Sequence, residues 1–292
     1  MKIIILGAGG IGSLVGALLS KDNDVLLVGN KAHTDEIKKN GLQITGCIDK
    51  SFKIKADTKI NKIEDTTLII LTTKAVDNEK SINQIKNFIK KNTLILCLQN
   101  GLGNEDLLRK QATCRVIRGI TTAGTTFLEP GKVICSNIGN IYVEDSEASG
   151  DIVNILDKAG LKAEISKDIK ERIWKKLIAN CIMNTLSAIF KVKNGQLSKS
   201  PKLIKSIVKE LVEVAEKEHF KFKEEETFDM VMEIIKQSAE NKSSMLQDIL
   251  KGKKTEIDFL NGKIVELAEK HKVDVPVNKA LVDMIKFLES KD

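Results

Sequence analysis

The chain begins with a short strand pattern that runs directly into a glycine-rich turn. KIIIL at 2–6 is followed by GAGGIG at 7–12, a G-x-G-x-x-G sequence, and then by an apolar helical pattern. In this context the glycines permit a tight turn, a close approach of backbone to phosphate, and close packing of helix on strand. The helix N-terminus favours an anion. An ordinary strand–helix turn is the alternative. We predict that a dinucleotide pyrophosphate binds Gly7, Ala8, Gly9, Gly10, Ile11 and Gly12.

Further along the first half of the chain, short apolar runs alternate with helical patterns. Continuous apolar runs rich in β-branched residues are typical of parallel strands covered on both faces. Strand patterns occupy 24–28, 67–73, 93–98, 114–120, 132–136 and 140–144. Helical patterns lie near 11–20, 33–40, 77–90 and 104–111. This alternation predicts a doubly wound parallel sheet of the Rossmann type.

The second half of the chain has a helical period. A last short strand pattern lies at 163–166. The predicted helices cover 168–191, 201–219, 225–240, 244–251, 255–271 and 276–290. The sequence therefore predicts an α/β protein with a Rossmann-type dinucleotide-binding domain at 1–166, followed by an all-helical domain at 167–292.

Composition narrows the expected partners and location. The formal charge of +7 comes from scattered lysines, and only 4% of residues are aromatic, so we expect no nucleic acid partner. No apolar run reaches the ~18 residues of a membrane span, and no signal-peptide pattern is visible. The five cysteines are odd in number and form no C-x-x-C, which is typical of a reducing cytosol. The histidines lack metal-ligand spacing. We expect a cytoplasmic protein with no bound metal and no membrane association.

The end of the second strand should select the cofactor. An acid there would bind the ribose 2′-hydroxyl of NAD, but the run LLVGNKAH contains none. Lys31 is placed to meet a 2′-phosphate, with Asn30 as a hydrogen-bond donor. A polar loop that starts the next helix is the alternative. The residues favour NADP(H).

The next two strand ends carry polar side chains. TTKA lies at 72–75 and LQNG at 98–101. Ligands bind at the carboxyl ends of strands in such sheets. Lys74 and Asn100 are therefore candidates to contact nicotinamide, ribose or substrate. The alternatives are a solvated loop for Lys74 and a turn for Asn100.

A polar stripe interrupts the apolar helix pattern of IWKKLIANCIMNTLSAIF at 173–190. Lys176, Asn180 and Asn184 are four residues apart and share one helix face. When hydride reduces a ketone, a proton must reach the developing alkoxide, and a lysine whose pKa is lowered by burial from about 10.4 can donate it. The amides can bind substrate oxygens. Alternatively, Lys176 extends to solvent and the amides bond neighbouring helices.

Three further residues have plain structural interpretations. Ser244 with Gln247 fits the capping box S-x-x-Q, which predicts a helix N-cap. Glu256 follows Thr255 and is expected as a first-turn acid that the helix dipole favours. Asn194, in KNGQL, is expected in a turn.

Taken together, these motifs resemble a known family. GAGGIG at 7–12, TTKA at 72–75 and QNGLG at 99–103 are joined by WKKLIANCIMNTLSAI at 174–189, NG at 194–195 and SSMLQDILKGKKTEIDFLNG at 243–262. Over essentially its whole length the chain resembles the ketopantoate reductases (2-dehydropantoate 2-reductases). The resemblance implies NADPH-dependent reduction of 2-dehydropantoate to (R)-pantoate, on the route to pantothenate and coenzyme A.

The resemblance also implies roles for individual residues. In the family, the lysine that matches Lys176 donates the proton to the keto oxygen. The implied substrate-binding residues are Asn100, Asn180, Asn184, Asn194 and Ser244, the serine at the carboxylate. The residues implied at the cofactor or the reacting centre are Lys74, Asn100, Thr125 and Glu256. The family often has Arg where this chain has Asn30, so NAD(H) stays an alternative cofactor.

Two other functions compete with this one. One is another 2-keto or 3-hydroxy acid dehydrogenase of the same architecture. The other is a sensor that binds NADP(H) and regulates a partner without catalysis, although a sensor has no need of a buried proton donor. A small keto acid is the expected partner, and a second copy of the chain, as a homodimer, is a further candidate.

Overall fold

The computed structural model describes residues 1–290, which fold into two compact units. The first unit is Met1–Ile169, and the second begins at Lys170. The first combines strands and helices, and the second is helical. The predicted fold class is therefore confirmed.

The first unit alternates strands and helices along the chain. Its strands are β1 (Lys2–Leu6), β2 (Asp24–Val28), β3 (Leu42–Gly46), β4 (Lys50–Phe52), β5 (Lys55–Asp57), β6 (Leu68–Leu71), β7 (Leu94–Cys97), β8 (Arg115–Thr121), β9 (Gly124–Glu129), β10 (Lys132–Asn137), β11 (Ile141–Glu144) and β12 (Ala163–Ser166). Its helices are α1 (Gly10–Leu19), α2 (Lys31–Asn40), α3 (Asn78–Ile85), α4 (Asn104–Gln111) and α5 (Ser149–Lys158).

The main sheet has eight strands in the order β12-β11-β8-β7-β6-β1-β2-β5. From β8 to β5 neighbouring strands are parallel, and Ile4 of β1 lies in register with Leu26 on one side and Ile69 on the other. Ile3, Ile4 and Ile5 are fully buried, as expected for a strand that is covered on both faces. Strand β11 is antiparallel to β8 and parallel to β12.

A second sheet of four strands has the order β4-β3-β10-β9. The sequence patterns predict β10 but not β3, β4 or β9, whose exposed faces interrupt the apolar run. Cys47, directly after β3, forms a disulfide with Cys135 on β10. The odd number of cysteines and the lack of a C-x-x-C pattern predict cysteines typical of a reducing cytosol. For this pair the prediction is wrong, because the pairing of β3 with β10 brings the two residues side by side.

The second unit consists of helices α6 (Ile169–Phe190), α7 (Pro201–Lys217), α8 (Glu224–Gln237), α9 (Ser244–Leu250), α10 (Asn261–His271) and α11 (Pro276–Glu289). The predicted helix at 255–271 is wrong in its first part. A 3₁₀ helix occupies Ile257–Phe259, and α10 begins only at Asn261. No helix among residues 1–290 is long and apolar enough to cross a membrane.

Buried polar side chains tie three helices of this unit to α6. The Glu210 carboxylate on α7 accepts hydrogen bonds from the backbone N–H groups of Val277 (2.8 Å) and Asn278 (2.9 Å) at the start of α11. Asn278 Oδ1 accepts from Asn261 Nδ2, which also donates to the Cys181 carbonyl at 3.1 Å. The chain of bonds ends on α6 beside Asn180, so the backbone of the polar stripe is held by α7, α10 and α11.

Candidate active site

The glycine-rich loop between β1 and α1 has the geometry that the motif predicts. Gly7 has a φ of +112°, and a Cβ there would lie 2.4 Å from the Thr73 nitrogen. A Cβ on Gly12 would lie 2.2 Å from the Gly7 carbonyl oxygen, so both positions require glycine. A Cβ on Gly9 would meet nothing within 4 Å. Since packing does not demand glycine at position 9, its surface is open to a ligand, which fits the approach of a pyrophosphate.

The start of α1 is suited to an anion. Gly9 is the N-cap, and no side chain caps the helix. The backbone N–H groups of the first turn therefore face the loop surface, where the helix dipole adds a partial positive charge.

Thr125 on β9 lies against this loop. A Cβ on Gly10 would come 2.5 Å from Thr125 Oγ1. Thr125 is also the strand partner of Cys135 on β10, next to the disulfide. The structure thus brings together Thr125 and the loop, although only the family resemblance singled out Thr125 in the sequence.

The end of β2 is occupied by a helix cap. Asn30 Oδ1 accepts a hydrogen bond from the His33 N–H at 2.9 Å and caps α2. This contact is the one expected from the alternative interpretation of Asn30, in which a polar residue starts the next helix. A Cβ on Gly29 would lie 2.9 Å from the Ala8 Cβ, so the end of β2 and the glycine-rich loop are in close contact.

Lys31 has an acidic neighbour one helical turn away. Its Nζ lies 2.5 Å from Asp35 Oδ2, and the two side chains are 81% and 51% exposed. This hydrogen bond raises the pKa of Lys31 and lowers the pKa of Asp35. Asp35 was not among the sequence candidates, yet any phosphate that approaches Lys31 must compete with it.

The ends of β6 and β7 are joined by side-chain hydrogen bonds. Thr72 Oγ1 donates to the Gly7 carbonyl at 2.8 Å, which ties the end of β6 to the glycine-rich loop. Gln99 Nε2 donates to the Thr73 carbonyl at 2.9 Å. The half-buried Lys74 and Asn100 follow Thr73 and Gln99 directly, so the structure places both candidates on adjacent strand ends. Gln99 was not among the candidate site residues, since the sequence around it resembles a turn.

In the second unit, the polar stripe of α6 is partly accessible. Lys176 and Asn180 are half-buried, and Asn184 is 7% exposed. The flanking Leu177 and Met183 are buried, so the ammonium group lies at the margin of an apolar surface. The stripe continues at Ser187, three residues after Asn184 and on the same face.

Ser187 connects the stripe to the start of α9. Its hydroxyl donates to Ser243 Oγ at 2.6 Å, and Ser243 Oγ accepts from the Leu246 N–H at 3.1 Å. The N-cap of α9 is therefore Ser243, and the prediction that Ser244 caps this helix is wrong by one residue. The buried Ser243 takes that role because it also accepts the hydrogen bond from Ser187. This long-range contact is not visible in any local sequence pattern. Ser244 is exposed and begins the helix.

Asn194 packs against the segment that precedes Ser243. Its N–H donates to the Asn241 carbonyl at 3.0 Å, and its Nδ2 donates to Ser238 Oγ at 3.1 Å. The residue begins a 3₁₀ helix, in keeping with the expected turn. Among the described residues its Oδ1 atom is buried without a hydrogen-bond partner, which is costly unless a ligand donates to it.

Glu256 precedes the 3₁₀ helix and is 9% exposed. It is not a first-turn acid of α10, because that helix begins five residues later. Thr255 fixes the segment: its N–H donates to Glu289 Oε1 at 2.7 Å, and its Oγ1 accepts from the Ile257 N–H. Asn261 then joins the segment to α6 at Cys181.

The chemistry available to each unit follows from these contacts. The first unit offers a loop suited to pyrophosphate, with Lys74 and Asn100 at the adjacent strand ends. The second offers the Lys176 ammonium and the Asn180 and Asn184 amides along α6. It also carries the Asn194 amide, the Ser244 hydroxyl and the Glu256 carboxylate on other segments. Within residues 1–290 no group of three or more His, Cys, Asp or Glu side chains is arranged to hold a metal ion.

Comparison with known proteins gives consistent matches over nearly the whole chain. A relative from Pyrococcus horikoshii, 2-dehydropantoate 2-reductase, is 38% identical over 299 residues, covering 99% of this chain and 98% of the relative. The enzyme of the same name from Archaeoglobus fulgidus is 34% identical with the same coverage.

Solved structures agree in fold. D-mandelate dehydrogenase, in a ternary structure with NADH and anilino(oxo)acetate, is 31% identical, with a TM-score of 0.93 over 99% of this chain and 98% of that one. A PanE/ApbA family ketopantoate reductase from Ralstonia eutropha has the same TM-score and coverage at 28% identity.

The family models account for both units. The model described as ketopantoate reductase PanE/ApbA matches residues 3–148, and its C-terminal counterpart matches residues 168–289. With relatives above 30% identity over nearly its full length, this chain belongs to the ketopantoate reductase (PanE/ApbA) family.

Proposed function

We propose that this protein reduces 2-dehydropantoate to (R)-pantoate with NADPH and so supplies pantothenate and coenzyme A synthesis. The observation that carries the proposal is the stripe of Lys176, Asn180 and Asn184 on α6. The Ser187–Ser243 hydrogen bond ties the same helix to the residue next to Ser244. The relatives named 2-dehydropantoate 2-reductase support the choice of substrate.

Lys176 acts as the proton donor in this proposal. A bound nicotinamide supplies the hydride that reduces the keto carbon. The electron pair of the carbonyl double bond moves to oxygen, and the alkoxide takes a proton from the Lys176 ammonium as the new C–H bond forms.

The other residues of the second unit hold the substrate. Asn180 and Asn184 donate hydrogen bonds to substrate oxygens without adding charge. Ser244 binds the carboxylate, since its hydroxyl is exposed and is not used as a cap. The buried, unpartnered Oδ1 of Asn194 suits a substrate hydroxyl, which 2-dehydropantoate has and simpler keto acids lack.

The first unit holds the cofactor. Gly9 and the start of α1 fit the pyrophosphate, with Thr125 alongside. Lys31 and the Nδ2 group of Asn30 meet the 2′-phosphate, which favours NADPH over NADH. Lys74 and Asn100 contact the nicotinamide end. Glu256 acts at the reacting centre. We assign nucleotide binding to residues 1–166 and substrate binding to 167–292.

A panel of 2-keto acids tests the proposal. The wild-type protein is mixed with each acid and either NADPH or NADH, and cofactor oxidation is followed by absorbance. We expect the highest kcat/KM with 2-dehydropantoate and NADPH. Binding of NADPH without turnover of any acid in the panel would refute it and leave a sensor.

A second candidate is a 2-keto acid dehydrogenase with another substrate. The similarity to D-mandelate dehydrogenase, a protein seen with NADH, favours it at 31% identity. The same panel decides between them: an aryl keto acid with NADH would then be the preferred pair. The unpartnered Asn194 Oδ1 favours the hydroxylated substrate instead.

The cellular setting is part of the proposal. We place the reaction in the cytoplasm, where NADPH-dependent biosynthesis takes place, and we expect a homodimer. Light scattering after size-exclusion chromatography measures the second point, and a monomer at micromolar concentration would contradict it.

A further inference from the structure

Three buried amide side chains form a continuous chain of hydrogen bonds in the first unit. Gln99, Asn78 and Asn104 are each no more than 4% exposed. Gln99 Nε2 donates to Asn78 Oδ1 at 2.7 Å, and Asn78 Nδ2 donates to Asn104 Oδ1 at 2.7 Å. We refer to these three residues as the amide chain.

The two ends of the amide chain meet the backbone at both candidate strand ends. At one end, Gln99 Nε2 lies 2.9 Å from the Thr73 carbonyl and 3.4 Å from the Lys74 carbonyl. At the other end, Asn104 Nδ2 donates to the Asn100 carbonyl at 2.6 Å. The amide chain therefore links the backbone at Lys74 to the backbone at Asn100 through three side chains.

A buried arginine holds the same loop from the side of β8. Arg118 is 2% exposed, and its Nη2 donates to the Gly101 carbonyl at 3.0 Å. Its Nη1 donates to the Cys97 carbonyl, and its Nε lies 3.3 Å from Glu105 Oε2. Burying a charge is costly, so the Arg118–Glu105 pair is weak evidence for stability. The bond from Arg118 to the Gly101 carbonyl nevertheless restrains the 99–103 loop.

The opposite end of the sheet has no comparable device among the described residues. Thr67 and Thr93 are buried at the amino ends of β6 and β7, and their hydroxyls make only local bonds, to the Glu64 carbonyl and from the Lys90 N–H. Stability alone is a weak reason for a protein to keep a buried polar network, since apolar residues of similar shape can replace it. The amide chain is thus confined to the edge where the cofactor binds.

We infer that Gln99, Asn78 and Asn104 are positioning residues, which set Lys74 and Asn100 at the nicotinamide end of the cofactor. The inference rests on the proposed function. Thr72 fastens the Lys74 segment to Gly7, so the amide chain places Asn100 in the same rigid frame as the pyrophosphate loop. A small displacement of Lys74 or Asn100 should slow the reaction, because hydride transfer needs donor and acceptor close to contact distance.

The test compares Gln99→Met with Thr93→Val. Gln99→Met keeps the length of the side chain and removes its donors, whereas Thr93→Val removes one buried hydrogen bond at the far end of β7. We expect a lower melting temperature in both, with the larger loss in Gln99→Met, which deprives the Thr73 carbonyl and Asn78 Oδ1 of this donor. Only Gln99→Met should lower kcat, by roughly 10- to 100-fold, and the KM for the keto acid should stay within about twofold, since its binding groups lie in the second unit.

A second variant, Asn104→Asp, changes the other end of the amide chain and keeps the test possible if Gln99→Met does not fold. An acid in the first turn of α4 is favoured by the helix dipole, which offsets part of the cost of the buried charge. Circular dichroism establishes that the variant is folded before its kcat is measured. The new carboxylate oxygen faces the Asn100 carbonyl and repels it, and kcat should fall as in Gln99→Met. Normal kcat in Asn104→Asp, or in a folded Gln99→Met, overturns the inference.

A readout without keto acid separates this inference from the proposed function. Fluorescence of bound NADPH reports how firmly the nicotinamide is held. Lower fluorescence enhancement in Gln99→Met and Asn104→Asp than in Thr93→Val supports the positioning role. It does so even if the wild type reduces no 2-dehydropantoate, because that lack of activity refutes only the proposed function. Equal enhancement in all three overturns the inference.

Discussion

Ser187 on α6 donates its hydroxyl hydrogen to Ser243 at 2.6 Å, and Ser243 caps α9. The neighbouring hydroxyl of Ser244 is exposed and makes no cap. Two adjacent serines thus have different tasks, one structural and one proposed for the substrate carboxylate.

Substitution of these serines separates the tasks. Ser243→Ala should lower the free energy of unfolding by about 1 kcal/mol or more, because it removes a helix cap and the partner of Ser187. Ser244→Ala should leave stability unchanged and raise the keto-acid KM at least tenfold. Urea unfolding and steady-state kinetics measure the two effects. An unchanged KM for Ser244→Ala would remove it from the site.

The Ser243–Ser244 pair shows where local patterns lose precision. A run of S, S and Q fits a capping box in either register, and the choice is made by Ser187, more than fifty residues away. The predicted start of α10 is wrong for a similar reason. Thr255 donates a hydrogen bond to Glu289, and Asn261 donates one to the α6 backbone. Such contacts are set by tertiary packing.

Other parts of the fold could be read from the sequence because their signal is local. The apolar runs of β1, β2, β6 and β7 are buried on both faces, and G-x-G-x-x-G acts through its own backbone. By contrast, β3 and β9 lie in the small sheet with exposed faces and weak patterns. The amide chain is dispersed over positions 78, 99 and 104, where each residue alone resembles a turn or helix start.

Cofactor preference depends on Lys31 and its acidic neighbour. Lys31→Ala should weaken NADPH binding roughly tenfold, as expected for the loss of an exposed charged contact to phosphate, and leave NADH binding nearly unchanged. Asp35→Asn is the matched variant: it frees Lys31 and should strengthen NADPH binding a few-fold. Fluorescence titration measures both. Equal losses for the two cofactors in Lys31→Ala, or a wild type that prefers NADH, would contradict the assignment.

His33 should make stability depend on pH. It is fully buried, its Nδ1 accepts from the Gly131 N–H at 2.9 Å, and its Nε2 therefore carries the hydrogen that faces Ser13 Oγ at 3.0 Å. Burial lowers the pKa of His33 from 6.5 to about 4. Between these values the unfolded chain binds a proton that the folded protein excludes, so stability falls as pH drops through this window, by roughly 3 kcal/mol in total.

Thermal unfolding from pH 7 to pH 4 measures this effect. His33→Gln should be less stable at neutral pH, because it cannot keep both hydrogen bonds, but its stability should change less across the window. Parallel curves for the two proteins would show that other groups cause the acid sensitivity.

The disulfide should stabilise the small sheet. Cys47 and Cys135 are 88 residues apart, and a bond that closes so long a loop contributes about 2–5 kcal/mol. Cys47→Ser should lower the free energy of unfolding by that amount, and a reductant should do the same to the wild type. Thiol titration of denatured protein without reductant should find Cys97, Cys114 and Cys181 only. Reaction at all five cysteines would contradict the bond.

Lys176→Ala is expected to lower kcat by roughly 10²–10⁴-fold, the usual range for a lost general acid. The fold should persist, since Lys176 is half-buried and the apolar flanks of α6 are unchanged. NADPH should still bind, because the glycine-rich loop lies in the other unit. Asn180→Ala is expected to raise the keto-acid KM with a smaller effect on kcat. Lys175→Ala is the control: that neighbour is exposed and paired with Glu171, and its loss should leave kcat unchanged.

The pH dependence of kcat in the wild type, Lys175→Ala and Lys176→Ala tests the proton donor most directly. If Lys176 gives its proton to the keto oxygen, the rate of reduction falls at high pH as the lysine deprotonates. Lys175→Ala keeps that limb, and Lys176→Ala loses it along with most of its turnover. A folded Lys176→Ala protein with near-normal kcat and the same high-pH limb as the wild type would show that the proton comes from another group.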